Sequence, residues 1–394
     1  MVQQIKKTPV FIPRLQHSNA LEGVKLEVAI MGAHHIEGQP KTRAKIKAVT
    51  STFIIDPVTH RFLYQASGDA KSFRKLPYPH PVSAEQLYDP DFRYKKVVGP
   101  SIEHQIQRGA DVIVAPYLFS VDSDDTKFTT NLSMLSETIR YVEEKKFNKP
   151  VYAMIHIGRT VLTHPLITNF ISARYRDEEL KDKITGYIVT IDDMDDRLAS
   201  VEELNGLARL VFQLSETHKV LANSIGGFGE VLCALGASGF TSGLATGEVT
   251  AVKTLNEKLK KGWKNRRLEM TYVPEIMGYA NDAQLKKIGY KCNCVSCGGG
   301  VPLGALAKKR HFLFTHLDAI KALAVSTNYQ KFVTTRLKKA IIVADGYKNK
   351  FQLPFKTIHL HNWLTVLQTA ESWTQEEDSK ELNALLIDLQ SNRE

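Results

Sequence analysis

Between residues 110 and 243 the chain alternates continuous apolar runs with amphipathic ones, and this rhythm constrains its fold more than any other feature. ADVIVAPYLF (110–119), PVYAMIHIG (150–158), ITGYIVTID (184–192), KVLANSIGG (219–227) and ASGFTSG (237–243) read as strands. NLSMLSETIRYVEEKKF, the stretch 165–181, VEELNGLARLVFQLSETH and FGEVLCALG read as helices between them. Apolar strands that do not alternate are buried on both faces, as in a parallel sheet covered by helices. Upstream, IKKTPVFIP (5–13) and KIKAVTSTFIID (45–56) read as further strands, MGAHHIEGQ as a loop, and the stretch after Pro57 as a long excursion. No GxGxxG follows the first strand and no P-loop motif is present, so an α/β fold closed as a (β/α)8 TIM barrel is expected rather than an open sheet. Further helices are expected at 316–342 and 362–372, followed by a polar, acidic tail.

The second constraint is KCNCVSCGGG, which holds Cys292, Cys294 and Cys297, three of the four cysteines of the chain. Thiolates this close together, followed by glycines that let the backbone wrap, make a metal knuckle for a tetrahedral ion such as zinc. A fourth ligand is then required, and His311 and His316 follow. A disulfide framework is not expected, because the N-terminus MVQQIKKTPVFIP lacks the apolar segment of a secretory signal. No apolar run reaches the length of a membrane span, so a soluble, cytoplasmic chain without a membrane partner is expected.

A closed barrel carries its chemistry at the carboxyl ends of its strands. That rule selects Asp56, Tyr117, Asp122, His156, Thr190, Asp192, Asp193, Asn223, Ser224, Thr241 and Ser242. Asp56 stands out, since an acid ending an apolar strand must be solvated, paired or used. It either serves a site or caps the turn IIDPVTH. His156 is either a satisfied core histidine or a site residue, and the acids of IDDMDDR either start a helix or bind a cation. The formal net charge is +10, and LNEKLKKGWKNRRL (255–268) concentrates Lys258, Lys260, Lys261, Lys264, Arg266 and Arg267 around Trp263. Such a segment fits a nucleic-acid backbone, with the tryptophan stacking on a base, or else a solvated helix face.

With these residues in view the chain resembles the tRNA-guanine transglycosylase superfamily, including its branch that inserts 7-deazaguanines into DNA. TPVFIP (8–13) is similar to the opening strand of that family, the C-x-C-x-x-C of Cys292, Cys294 and Cys297 to its zinc motif, and KVLANSIGGFGEVLCALGASGFTSG to its last two barrel strands. The resemblance implies zinc held by these cysteines and a histidine opening a helix, which it places at His316, with His311 and His361 as rivals. It implies an exchange of guanine for a 7-deazaguanine base in tRNA or DNA. Asp56 takes the place of the family's acid/base aspartate. Thr241 stands where the nucleophilic aspartate is expected and Ser238 where another acid is expected. Tyr117, His156, Thr190 and Ile191 fall at base-binding positions, and the basic segment falls at the nucleic-acid backbone. A threonine is a poor nucleophile without an adjacent base, so two readings stand. One is a transglycosylase that uses Asp56 or another acid. The other is an inactive zinc protein that binds nucleic acid as a homodimer or as the partner subunit of a modification or defence complex. The expected organisation is a barrel over 1–250, a basic and zinc-binding subdomain packed on it over 251–345, and a helical extension over 346–394.

Overall fold

The computed structural model describes residues 8–14, 19–64, 71–79, 81–123, 125–244, 252, 255, 270–353 and 355–373. Eight parallel strands form one sheet: β1 (Val10–Arg14), β2 (Leu26–Gly32), β3 (Thr50–Asp56), β4 (Ile113–Val114), β5 (Val151–Gly158), β6 (Gly186–Asp192), β7 (Lys219–Asn223) and β8 (Gly239–Gly243). Their spatial order is β3-β2-β1-β8-β7-β6-β5-β4. The two ends of that order meet through a parallel bridge between Ile54 and Val112. Asp111 fastens this seam twice, its N–H donating to the Phe53 carbonyl at 2.8 Å and its Oδ2 accepting from the Phe53 N–H at 2.8 Å. The expected TIM barrel is thereby present.

The principal helices joining the strands are α1 (Ala33–Gly38), α2 (Pro40–Ala48), α3 (Gly99–Gln107), α4 (Thr126–Glu144), α5 (Pro165–Tyr175), α6 (Val201–Ser215) and α7 (Phe228–Ala234). After the barrel come an antiparallel hairpin of β9 (Met270–Val273) and β10 (Gly278–Asn281), then α8 (Asp282–Ile288), α9 (Ala305–Ala324), α10 (Tyr329–Phe351) and α11 (Ile358–Ala370).

Successive strand residues point to opposite faces, and the buried residues separate accordingly. Ile12, Ile30, Ile54, Val112, Val114, Tyr152, Met154, Ile188 and Leu221 form an apolar plug inside the barrel. Their neighbours Phe11, Ala29, Phe53, Ala153, Val189 and Ala222 pack outward in the main core under the helices. Two residues beyond the plug, the same parity turns Arg14, Asp56, His156, Thr190, Asn223 and Thr241 into the mouth.

Three elements differ from the sequence-based expectation. MGAHHIEGQ, expected as a loop, supplies the end of β2 and all of α1. Glycine and paired histidines hide a strand whose burial is interrupted at Glu27 and Val28. The run 110–119 is continuous strand only at Ile113 and Val114, with an isolated bridge at Val112. Pro116 lacks the N–H that would extend the ladder. The helix expected over 316–342 is two helices, broken where the Asn328 side chain caps α10 by accepting from the Lys331 N–H at 2.9 Å.

The appended helices lie directly on the barrel. On α9, Phe312 and His316 meet Phe11 of β1 with ring centroids 6.3 and 5.0 Å apart. On α11, Trp363 sits against Phe228 and donates its indole N–H to the Asp196 carbonyl at 3.0 Å. The outer layer is equally close: a Cβ on Gly206 of α6 would come within 1.9 Å of the Leu162 carbonyl oxygen. Gly206→Ala is therefore expected to lower the unfolding free energy by about 1–3 kcal/mol in urea titrations, through displaced backbone. A variant as stable as the parent would contradict this packing.

Candidate functional site

The strand registers set His156 of β5 beside Thr190 of β6, and Thr190 beside Asn223 of β7. Here a polar ladder begins. Asn223 donates to Thr190 Oγ1 at 2.8 Å and accepts from Thr241 Oγ1 at 2.7 Å. Thr241 Oγ1 in turn accepts the Ser224 N–H at 2.8 Å. Fully buried and engaged on both sides, this hydroxyl ties β7 to β8 and is not an activated nucleophile.

Across the mouth Asp56 is 2% exposed. Its Oδ1 accepts the Val58 N–H at 2.8 Å, which is the turn-capping contact, and the Tyr117 hydroxyl at 2.9 Å. Its Oδ2 faces the Arg14 guanidinium at 3.7 Å. Capping and site geometry are thus combined in one carboxylate. Tyr117 is pinned through its backbone as well: Thr59 Oγ1 donates to its carbonyl and accepts from its N–H, each at 2.7 Å. Burial, followed by the Asp56 charge, raises the Tyr117 pKa well above the usual phenol value, so the hydroxyl keeps its proton. His60 Nδ1 lies 2.8 Å from the same hydroxyl, and the His60 ring stands edge-on to His156 at 5.2 Å.

His156 is 1% exposed, and neither ring nitrogen has a hydrogen-bond partner among the described residues. Its Nε2 lies 3.8 Å from Asp192 Oδ1, which accepts the Val252 N–H at 2.8 Å. The mouth thus gathers Asp56, Tyr117, His156, Thr190 and Thr241. Ile191 does not join them: as the neighbour of an inward residue it faces the outer core. Asp122 caps the turn before α4 by accepting the Asp125 N–H at 2.9 Å. Arg14 and His60 were not selected from sequence. The strand-end rule yields Arg14 once β1 is extended one residue past Pro13, whereas His60 lies in the turn beyond a strand end. Lys258, Lys260, Lys261, Lys264, Arg266 and Arg267, with Trp263, lie outside the described residues.

The metal centre is built by the knuckle and the first turns of α9. The backbone closes on itself where Cys292 donates its N–H to the Gly300 carbonyl at 3.0 Å and Gly299 returns one to the Cys292 carbonyl at 2.9 Å. Gly298 and Gly299 take positive φ of 56° and 89°, which glycine adopts without strain. The fourth member is His311. Its Nδ1 lies 3.6 Å from Cys294 Sγ and 3.4 Å from Cys297 Sγ, and all four ligand atoms fall within 4.8 Å of one another. Around a tetrahedral zinc, bonds of about 2.3 Å to sulfur and 2.0–2.1 Å to nitrogen separate S and N by about 3.6 Å, so the donor set fits zinc. His311 Nε2–H donates to the Tyr272 carbonyl at 2.7 Å, which leaves Nδ1 bare toward the sulfurs. Burial raises the pKa values of the Cys292 and Cys297 thiols and lowers that of His311. A cation reverses the penalty on the thiolates.

His316, the expected ligand, is not part of this cluster. Five residues of helix turn it to another side of α9, where it is 1% exposed and stacks between Phe11 and Tyr272 at 5.0 and 4.7 Å. Burial, with Arg336 nearby, lowers its pKa to about 3. His361 lies exposed on α11, outside the cluster.

No known protein family matches the chain, and no curated protein matches it. Among solved structures it is similar to the metallated homocysteine methyltransferase MmuM from Escherichia coli, at 11% identity and a TM-score of 0.31, over 61% of this chain and 93% of that one. It is also similar to the carboxyl transferase domain of Rhizobium etli pyruvate carboxylase, at 11% identity and a TM-score of 0.34, over 94% of this chain and 62% of that one. No helix among the described residues is long and apolar enough to cross a membrane.

His311→Ala and Cys294→Ser are expected to lose bound zinc in elemental analysis, and with it the thermal stability of the C-terminal helices. His316→Ala is expected to keep a full zinc equivalent while losing stability through its cavity. Zinc loss in His316→Ala alone would reverse the ligand assignment.

Proposed function

We propose that this chain is a transglycosylase-like zinc barrel that acts on the N-glycosidic bond of guanine in tRNA or DNA and exchanges the base for a 7-deazaguanine. The observation that carries the reading is Asp56. It is a buried carboxylate at a strand end, with one oxygen held by Val58 and Tyr117 and the other turned toward Arg14. A carboxylate fixed in this way is suited to attack an anomeric carbon and to leave again as a stable group. Thr241 is relieved of that task because its hydroxyl is committed to Asn223 and Ser224. Asp192, beside His156, supplies a second acid in the same mouth. Tyr117, His156 and Thr190 receive the base, and the lysines and arginines of 258–267 neutralise phosphates. Zinc on Cys292, Cys294, Cys297 and His311 supplies no open coordination position and serves to pin the appended helices.

A second reading, a nucleic-acid-binding subunit without turnover, is favoured by one observation. The last barrel strand ends on Thr241, Ser242 and Gly243 and offers no carboxylate. The two readings separate on incorporation of radiolabelled guanine and of a labelled 7-deazaguanine into tRNA and duplex DNA. Exchange predicts incorporation into one nucleic acid that falls by about 100-fold or more in Asp56→Ala. Salt-sensitive binding without incorporation into either would leave only the binding subunit.

A further inference from the structure

We propose that His60 is the proton acceptor of the barrel mouth: its Nε2 takes an N–H proton from a nitrogen-heterocycle ligand, while Tyr117 and Asp56 hold the ring in its Nδ1–H form. As a step of base exchange the proposal rests on the function given above.

Counting donors assigns the tautomer. A carboxylate only accepts, so the single O–H of Tyr117 is spent on Asp56 Oδ1 at 2.9 Å. The Tyr117 oxygen then stands as acceptor toward His60 Nδ1 at 2.8 Å, and Nδ1 carries the proton. The remaining lone pair of the imidazole is on Nε2, which has no hydrogen-bond partner among the described residues. The chain Asp56–Tyr117–His60 thus orients an imidazole as a carboxylate does in hydrolytic triads, with a phenol interposed. The groups facing His60 are Tyr117, His156, Arg14, His34 and its neighbour Arg61. Burial, then the nearby His156 and Arg61, lowers its pKa well below the ordinary imidazole value, so the ring rests neutral and a proton taken at Nε2 is held weakly and passed on.

A second observation points to the ligand. His156, edge-on to His60 and packed against Phe119 at 5.2 Å, is buried with both ring nitrogens unpartnered among the described residues. A neutral imidazole offers one donor and one acceptor. The two rings touch edge-on, so a heterocycle lying across their shared rim gives its N–H to His60 and satisfies His156 through its other polar edge. In the exchange, Asp56 Oδ2 bonds to the anomeric carbon as the bond to the departing base breaks. The electron pair leaves with that base, which takes a proton from water. The incoming base then passes its N–H proton to His60 Nε2 as its nitrogen bonds to the carbon and releases Asp56. The imidazolium returns the proton to water, so one proton is taken up and one returned.

The test is a long-range ¹H–¹⁵N correlation spectrum of the full chain carrying ¹⁵N-histidine, with His60 assigned by its loss in His60→Asn. The expected spectrum at neutral pH shows a protonated Nδ1 and a bare Nε2, tautomer mixing in Tyr117→Phe, and displacement of the Nε2 line by guanine or 7-deazaguanine. An Nε2–H form in the unmodified chain overturns the assignment. A bare Nε2 that neither base moves at saturation overturns the ligand class. His60→Asn retains an N–H toward Tyr117 and lacks the acceptor, so base incorporation is expected to fall about 100-fold with thermal stability kept. Incorporation unchanged in that variant overturns the proposal. A base-shifted Nε2 line without incorporation by the parent chain would sink the exchange reading and leave the His60 assignment standing.

Discussion

Closure of the barrel is the constraint from which the rest follows. The seam between Ile54 and Val112 brings the two edge strands together, and it fixes which residues of each strand face the axis. Below the mouth those residues are isoleucine, valine, leucine, tyrosine and methionine, packed together as one buried cluster. One step higher they become Arg14, Asp56, His156, Thr190, Asn223 and Thr241. A polar layer on an apolar floor sits in a low-dielectric setting. There each hydrogen bond is stronger than in water and each unmet donor costs more. The Thr241–Asn223–Thr190 ladder meets that demand internally, whereas His156 does not.

The zinc centre and the barrel are joined by one helix. His311 reaches the cysteines from one side of α9. Phe312 and His316, one and five residues on, pack against Phe11 of β1. Beneath them buried Glu230 of α7 pairs with Arg336 of α10 at 3.0 Å, the arginine side chain being 20% exposed. Removing the arginine would leave a buried carboxylate without its cation, which is costly, so the pair ties α10 to the barrel. A metal held by His311 would tie the start of α9 to the knuckle, and the aromatic stack joins the same helix to β1. Tyr272 takes part in both, since its carbonyl receives His311 Nε2–H and its ring stacks on His316.

Much of this was legible in the sequence, and the rest was hidden for identifiable reasons. Continuous apolar runs reveal β5 and β6 because both faces of those strands are buried. Strand β2 is obscured by Glu27 on its outer edge and by the glycine and histidines that follow. The cysteine triplet was readable as a metal knuckle because its ligands are adjacent in sequence. Its fourth member was not, since His311 and His316 share one helix and only tertiary packing decides which side meets the sulfurs. Asp56 and His156 emerged from the strand-end rule. His60 lies outside that rule, because its place depends on a turn pinned by Thr59 to the backbone of Tyr117 on another strand.

Asp56 and Thr241 also show how a barrel redistributes its chemistry. A carboxylate at the end of β8 would need donors in its own neighbourhood, yet the nearest groups there, Asn223 and the Ser224 N–H, already suit a hydroxyl. At the end of β3 the reverse holds. The Val58 N–H, the Tyr117 hydroxyl and the Arg14 guanidinium all present hydrogen or positive charge to one acid. Exchanging the two side chains would leave the donors at β3 without a carboxylate, and would set an acid at β8 against the Asn223 amide oxygen with the Ser224 N–H as its donor. The electrostatics of this mouth are therefore organised around β3. A reaction that passes through a negatively charged group finds one wall of this mouth in Arg14, Asp56 and Tyr117, with His60 beside it, and a second acid in Asp192 next to His156.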